Sequence, residues 1–364
     1  MPSSLESTLE AAILTRTPVI LWGPPGVGKT ALVHAVARRL ALPVETVIAS
    51  IREPSDFSGL PVIHNGGVAL HPPIWAQRLA QAGHGLLFLD ELSCCAPATA
   101  AALLRIILER VVGDLPLPDG VAVVAAANPP DQAAGGWDLP GPLANRFTHL
   151  QFTLDPMPWS DAFPTYWGAP PAVLGLDESA WARQRILVAA FIRRKPVLLL
   201  ALPKEESARG GAWPSPRTWD AASRHLAACQ ALQMTGETEA LLVAGAVGEG
   251  PALELLAYRR ELDLPDPEAV LAHPESLVVP ERSDRAFAVF AAVTAAVLSR
   301  NTPARWRAGW TVLSLGAERG QEGVAASSAM TLAAAVPKGA TLADAKAAAA
   351  FAPLLKAAGL WRTP

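Results

Sequence analysis

The chain is short of the features that mark several large classes of protein. Its 364 residues contain three cysteines, Cys94, Cys95 and Cys229. Two of these are adjacent, and neighbouring cysteines do not bridge without strain. No Cys or His spacing fits a zinc site, so the thiols are read as reduced. Charged residues make up 17% of the chain and the formal net charge is −3. The longest basic run is Arg193, Arg194 and Lys195. A protein built to grip a phosphate backbone carries a broader basic stripe, which weighs against a dedicated nucleic-acid binder without excluding one. No apolar run approaches the ~20 residues of a membrane span. The N-terminal segment MPSSLESTLEAAIL carries acidic residues and no basic start, so it does not read as a signal peptide. The chain is read as cytosolic.

What is abundant is apolar: 51% of the residues, enough for sizeable cores. At about 150 residues per domain the length suggests two domains, with room for a small third. Residues 3–14 have a capped helical pattern starting at Ser3 or Ser4. Apolar runs at 18–22, 44–49, 85–89, 121–126 and 148–152 read as buried strands. Helical patterns at 29–40 and 97–109 lie between them. Strands alternating with helices predict an α/β domain with a parallel five-stranded sheet covered on both faces. After Leu154 a stretch rich in Pro and Trp, DPMPWSDAFPTYWGAPP, reads as a boundary or ordered linker. Beyond it, helical patterns occupy 178–195, 216–232, 237–247, 251–262, 284–299 and 303–315, followed by an Ala-rich helical tail from 322.

Residues 23–30, GPPGVGKT, satisfy G-x-x-x-x-G-K-[ST] completely, between an apolar strand and an amphipathic helix. Glycines let the backbone wrap an anion with consecutive N–H groups, and the helix adds its positive dipole end. Gly23, Pro24, Pro25, Gly26, Val27, Gly28, Lys29, Thr30 and Ala31 are therefore nucleotide-binding candidates. Lys29 is assigned to the β- and γ-phosphates and the Thr30 hydroxyl to Mg²⁺. About sixty residues later LLFLDE lifts Asp90 and Glu91 to the carboxyl edge of a strand, where open α/β sheets bind ligands. Asp90 is the second magnesium-holding residue, and Glu91 is the candidate general base on water.

The order of these parts resembles the AAA+ family, and VAVVAAAN places Asn128 where that family has its sensor 1 residue, orienting the lytic water. Within AAA+, the chain is similar to the MoxR branch over residues 5–275. SDFSGLPVIHNGGVALHPPIWA resembles the helix-2 insert as a hairpin turning at Asn65-Gly66-Gly67. AALLRIILERVV resembles the helix after the Asp-Glu pair. LPGPLANRF maps Arg146 onto the arginine that reaches a neighbouring subunit's γ-phosphate, and WPSPRTW maps Arg217 onto sensor 2. Arg105 and Arg110 are alternative candidates for crossing a subunit joint, and whether Arg217 acts in cis or in trans stays open.

The resemblance implies an AAA+ α/β domain over 1–155, an all-α lid over 156–283 and a helical C-terminal extension over 284–364. It implies an ATPase using ATP and Mg²⁺, assembled as a hexameric ring and acting in chaperone-like remodelling or maturation of a client, beside a von Willebrand A-domain partner. The alternatives are a nucleic-acid-associated motor or restriction component, and a slow nucleotide-dependent switch. Glu91 and Asn128 together favour turnover over a switch. His64 and His71 flank the hairpin turn at a spacing that suits no metal, and read as surface residues. Trp137, Trp159, Trp167 and Trp213 lie near prolines and read as packing for loops or subunit joints, since base stacking would need basic companions.

Overall fold

A computed structural model of the chain describes residues 4–64, 66–130, 132, 139–166, 178–262 and 264–361. The chain divides into two compact units, Met1–Thr153 and Leu154–Pro364. Trp137 and Trp167 lie outside the described residues.

The first unit runs α1 (Ser4–Leu14), β1 (Val19–Trp22), α2 (Lys29–Arg39), β2 (Val44–Ile48), α3 (Ser55–Ser58), β3 (Leu60–His64), β4 (Gly67–His71) and α4 (Ile74–Ala82). It continues through β5 (His84–Asp90), α5 (Pro97–Glu109), β6 (Val111–Val112), β7 (Leu115–Pro116), β8 (Gly120–Ala127), α6 (Gly141–Ala144) and β9 (Thr148–Gln151). Five strands form one sheet in the order β2-β5-β8-β1-β9, every pairing parallel. This is the AAA+ α/β fold.

The apolar runs of β5 and β8 are continuous because both faces of the sheet are covered. Alternate residues serve opposite sides. Leu87, Leu89, Val121, Val123 and Ala125 join a core with Trp75, Leu79, Leu103 and Ile106 from α4 and α5. Leu86, Phe88, Ala122, Val124 and Ala126 join another with Leu9 and Ile13 of α1 and Leu32, Val33 and Val36 of α2. Full burial of a side chain of this size contributes about 1.5–3 kcal/mol, so the two cores hold the strand ends in fixed register.

Two hairpins stand apart from the main sheet. The β3–β4 pair is antiparallel, Leu60 opposite His71 and His64 opposite Gly67, and Asn65 of the expected turn lies outside the described residues. The β6–β7 pair is very short, and its turn carries Gly113 at φ 61°. The two hairpins are joined at Leu70 and Asp114. Leu70 N–H donates to Asp114 Oδ2 at 2.7 Å, and Asp114 N–H donates to Leu70 O at 3.0 Å. A Cβ built on Gly113 would lie 2.5 Å from Leu70 O, so only glycine permits this approach.

The second unit contains α7 (Pro156–Tyr166), α8 (Glu178–Arg194), α9 (Pro216–Ala231), α10 (Gly236–Val247), α11 (Glu249–Glu261), α12 (Pro267–Ala272), α13 (Ser283–Ser299), α14 (Pro303–Glu318), α15 (Glu322–Ala334) and α16 (Ala352–Ala357), with no strand among its described residues. The stretch read as a linker is in part a helix, α7, which tolerates Pro164 near its end. Three helices start with the same local chemistry: Ser215-Pro216, Asp266-Pro267 and Thr302-Pro303. In each, the polar side chain accepts an orphan backbone N–H, and the proline occupies a position that has no helical N–H partner to lose.

Its interior holds two apolar clusters. One centres on Phe163, Phe191, Trp219, Val243 and Leu255, the other on Phe290, Trp306, Trp310, Phe351 and Leu355. Helix α13 belongs to both, giving Phe287 and Ala288 to the first and Ala286, Val289 and Phe290 to the second. Among the described residues no helix is long and apolar enough to cross a membrane.

Candidate functional site

The carboxyl edge of the parallel sheet collects Lys29, Thr30, Asp90, Glu91 and Asn128 of the polar residues singled out in the sequence. The loop after β1 reaches α2 through Gly26 at φ 75° and Gly28 at φ 108°, left-handed conformations that glycine adopts freely. Gly28 caps α2, so the loop's backbone and the helix N-terminus form one concave, electropositive surface suited to phosphate.

Lys29 is folded into this loop. It is 8% exposed, and its ammonium donates to Gly23 O at 2.6 Å, Pro24 O at 3.0 Å and Asn128 Oδ1 at 2.8 Å. Thr30 Oγ1 donates to Asp90 Oδ2 at 2.8 Å. A hydroxyl and a carboxylate converging from two elements are hard oxygen donors of the kind Mg²⁺ takes, with phosphate and water completing its shell. Among the described residues no group of three or more His, Cys, Asp or Glu gathers to hold a metal by itself.

Glu91 follows Asp90 in a left-handed conformation, φ 57° and ψ 37°. For a residue with a Cβ this costs of order 1–3 kcal/mol and is held only by its surroundings. Here Glu91 N–H donates to Asp90 Oδ1 at 2.9 Å, and its carboxylate accepts from Ser50 Oγ at 2.5 Å. Asn128 comes directly after β8, which pairs with β5, so Asn128 and Asp90 stand at the ends of adjacent strands. Its N–H donates to Ser93 Oγ at 3.1 Å. Just beyond, Cys95 is buried, and burial pushes its thiol up to about 11.

Arg146 sits between two anchors, Leu143 and Phe147, both buried in the same core as β5 and β8. Its guanidinium donates to Pro142 O. Arg217 is the second residue of α9, exposed beside the Ser215–Thr218 capping box, in the second unit. The two alternative arginines are tied within the first unit. Arg105 bonds Glu109 and Gly113 O, and Arg110 bonds Pro118 O and Val121 O.

Hydrogen bonds thus pair Lys29 with Asn128 and join Thr30 and Glu91 to Asp90, and the two sets meet at the adjacent residues Lys29 and Thr30. Sequence reasoning did not find Ser50, Ser93 or His149. Ser50 follows β2 at the same sheet edge, so the rule that selected Asp90 and Asn128 would have selected it. His149 accepts the Trp22 indole N–H at Nδ1, at 2.9 Å. Of the prominent aromatic and histidine side chains, Trp159 is buried and stacked on Phe163, Trp213 donates to Arg209 O, and His71 is exposed.

The Met1–Thr153 unit has the AAA+ α/β fold with a P-loop. Residues 18–147 match the family described as AAA domain (dynein-related subfamily). The chain is similar to ATPase family gene 2 protein homolog B of Mus musculus, 37% identical over 135 residues, and of Rattus norvegicus, 38% identical over 133 residues. Each match spans 34% of this chain and 17% of the relative. Among solved structures, the RuvB Holliday junction branch migration motor of Thermotoga maritima is 16% identical, covering 82% of this chain and 85% of that one, at a TM-score of 0.36. NtrX of Brucella abortus is 18% identical, covering 66% and 50%, at 0.31. Both overlays are loose and bear on nothing further.

Proposed function

We propose that the chain binds ATP with Mg²⁺ and hydrolyses it as a MoxR-type AAA+ protein, in a hexameric ring that remodels or matures a client protein beside a von Willebrand A-domain partner. The observation that carries the ATPase reading is the bonding of Lys29 to Asn128 and of Thr30 and Glu91 to Asp90 at the carboxyl edge of one sheet.

On this reading the loop after β1 receives the phosphates through backbone N–H groups, and Lys29 leaves its three oxygen partners to reach the β- and γ-phosphates. Thr30 and Asp90 would hold magnesium, which when bound neutralises charge on the phosphate oxygens. Glu91, once off Ser50, accepts a proton from the attacking water, which Asn128 orients. Arg146 meets charge developing on the γ-phosphoryl group of a neighbouring subunit, and Arg217 contacts nucleotide from the helical lid. The lid is proposed as 156–283 and the extension as 284–364. The MoxR assignment, the ring and the partner are supported by the hairpin at β3–β4 and the LPGPLANRF and WPSPRTW segments, and the remodelling role by that family likeness alone.

Glu91→Gln tests the chemistry. It should retain ATP binding and lose about 10²–10⁴-fold in turnover, since only the base is removed. Turnover within about twofold of the unaltered protein would move the base elsewhere. For the in-trans role, mixing Arg146→Ala with Lys29→Ala should restore some activity at joints that pair an intact loop with an intact arginine. Activity per chain that stays constant on dilution to a demonstrated monomer would overturn the in-trans role.

A further inference from the structure

The strand that leads into the phosphate loop is bonded to the segment that carries Arg146, through a single imidazole. Trp22, the last residue of β1, donates its indole N–H to His149 Nδ1 at 2.9 Å. An indole nitrogen is a donor only, so Nδ1 must carry the lone pair and Nε2 the proton. Nε2 lies 2.9 Å from Ala144 O, the last residue of α6, and donates to it. The two rings are 14° from parallel, with centroids 6.0 Å apart, so the indole N–H points along the in-plane lone pair.

The placement follows from the sheet. Trp22 pairs with Gln151 and Ile20 with His149 in the parallel register of β1 and β9. Trp22 and His149 therefore share a face as diagonal neighbours, within reach of long side chains. Ala144 O also accepts from Phe147 N–H at 3.1 Å, which closes the turn holding Arg146. Phe152 N–H donates to Trp22 O at 2.6 Å and fixes the same junction from the backbone.

We infer that His149 is a positioning residue for Arg146: its neutral ring ties the arginine's turn to the strand end that precedes Gly23. The inference rests on the reading of Arg146 as a finger. Its consequence is that one subunit's phosphate loop and the arginine it offers to the next form a single mechanical piece. Only a group that accepts on one side and donates on the other can fill this place. A protonated imidazole cannot, because it has no acceptor.

The test is a cycle of His149→Leu and Arg146→Ala, read by kcat, ATP dissociation constant and melting temperature. His149→Leu should lower kcat about tenfold while ATP affinity stays within about twofold, since misplacement of a catalytic group reduces rate more than ground-state binding. In the Arg146→Ala background the same change should lower kcat no further. His149→Gln, whose amide can still donate to Ala144 O, should recover part of the loss. Trp22→Phe, which keeps a ring but removes the donor, should behave as His149→Leu does, and it decides the matter if His149→Leu does not fold. A kcat within about twofold of the unaltered protein, or equal fractional losses in both backgrounds, overturns the role of His149. An unchanged kcat in Arg146→Ala alone overturns the finger reading instead, and the inference with it.

Discussion

Gly113→Ala should loosen the joint between the two hairpins without touching the phosphate loop. Gly113 has φ 61°, and an added Cβ would meet Leu70 O at 2.5 Å and Gly59 Cα at 3.4 Å. The left-handed conformation costs a non-glycine residue about 1 kcal/mol. Relieving the contact pushes Leu70 O away and weakens its bond from Asp114 N–H, a loss of about 0.5–1.5 kcal/mol, with Asp114 Oδ2 and Leu70 N–H disturbed by a similar amount. The total is about 2–4 kcal/mol, concentrated on opening of this joint. Hydrogen exchange reads it directly, because the amides of Leu70 and Asp114 report that opening. Their exchange should speed up by about 30- to 1,000-fold. Gly66→Ala is the control. Gly66 has φ 79° but nothing within 4 Å of an added Cβ, so it pays the backbone strain and spares the contact. Unchanged exchange at Leu70 and Asp114 in Gly113→Ala, or equal acceleration in both variants, would refute the reasoning.

Lys29→Ala should weaken ATP binding by at least about 10²-fold in isothermal titration, because the charge matched to the phosphate oxygens is gone. Near-normal affinity would dismiss the phosphate loop. Trp306→Phe removes the donor to Leu332 O, a 2.8 Å bond in a fully buried place, and leaves that carbonyl only the 3.2 Å bond from Ala335 N–H. The helical unit should lose about 0.5–1.5 kcal/mol in denaturant unfolding, while ATP affinity is unchanged. Cys95, with its thiol near 11, is neutral at pH 8 and becomes a thiolate only as the pH approaches that value. A thiolate-requiring reagent at pH 8 should therefore modify the half-exposed Cys94 first, with Cys95 modification accelerating steeply toward pH 11. Equal rates for the two thiols at pH 8 would contradict the burial of Cys95.

The α/β half was legible because its signals are local. An apolar run followed by GPPGVGKT, or by Asp90-Glu91, announces strand, loop and helix in a dozen residues, and the five strands in the sheet fall on the five apolar runs. Asn128 was legible from strand adjacency, and β8 does pair with β5. What stayed hidden depends on partners distant in sequence. Nothing near His149 announces Trp22, which is 127 residues away. Strands β6 and β7 have two residues each, too few for a period to register. Helix α7 was masked by its prolines, since Pro156 sits at its first position, where it is tolerated, but Pro164 lies inside it, where proline argues against a helix. Arg217 was picked out by the resemblance of WPSPRTW, and it lies at the start of α9 beside the Ser215 cap.

Helix α13 has a consequence for how the helical half can be inherited. Phe287 and Ala288 complete one apolar cluster, while Ala286, Val289 and Phe290, on the same turns, complete the other. A recombination event that joined foreign sequence just before Ser283 would strip a wall from the first cluster as it replaced the second. Removing a buried Phe alone costs about 3–5 kcal/mol, a large fraction of what holds a domain together. The region from Leu154 onward therefore cannot be divided at α13 without loss, and changes confined to one side of that helix have to preserve the residues that face the other.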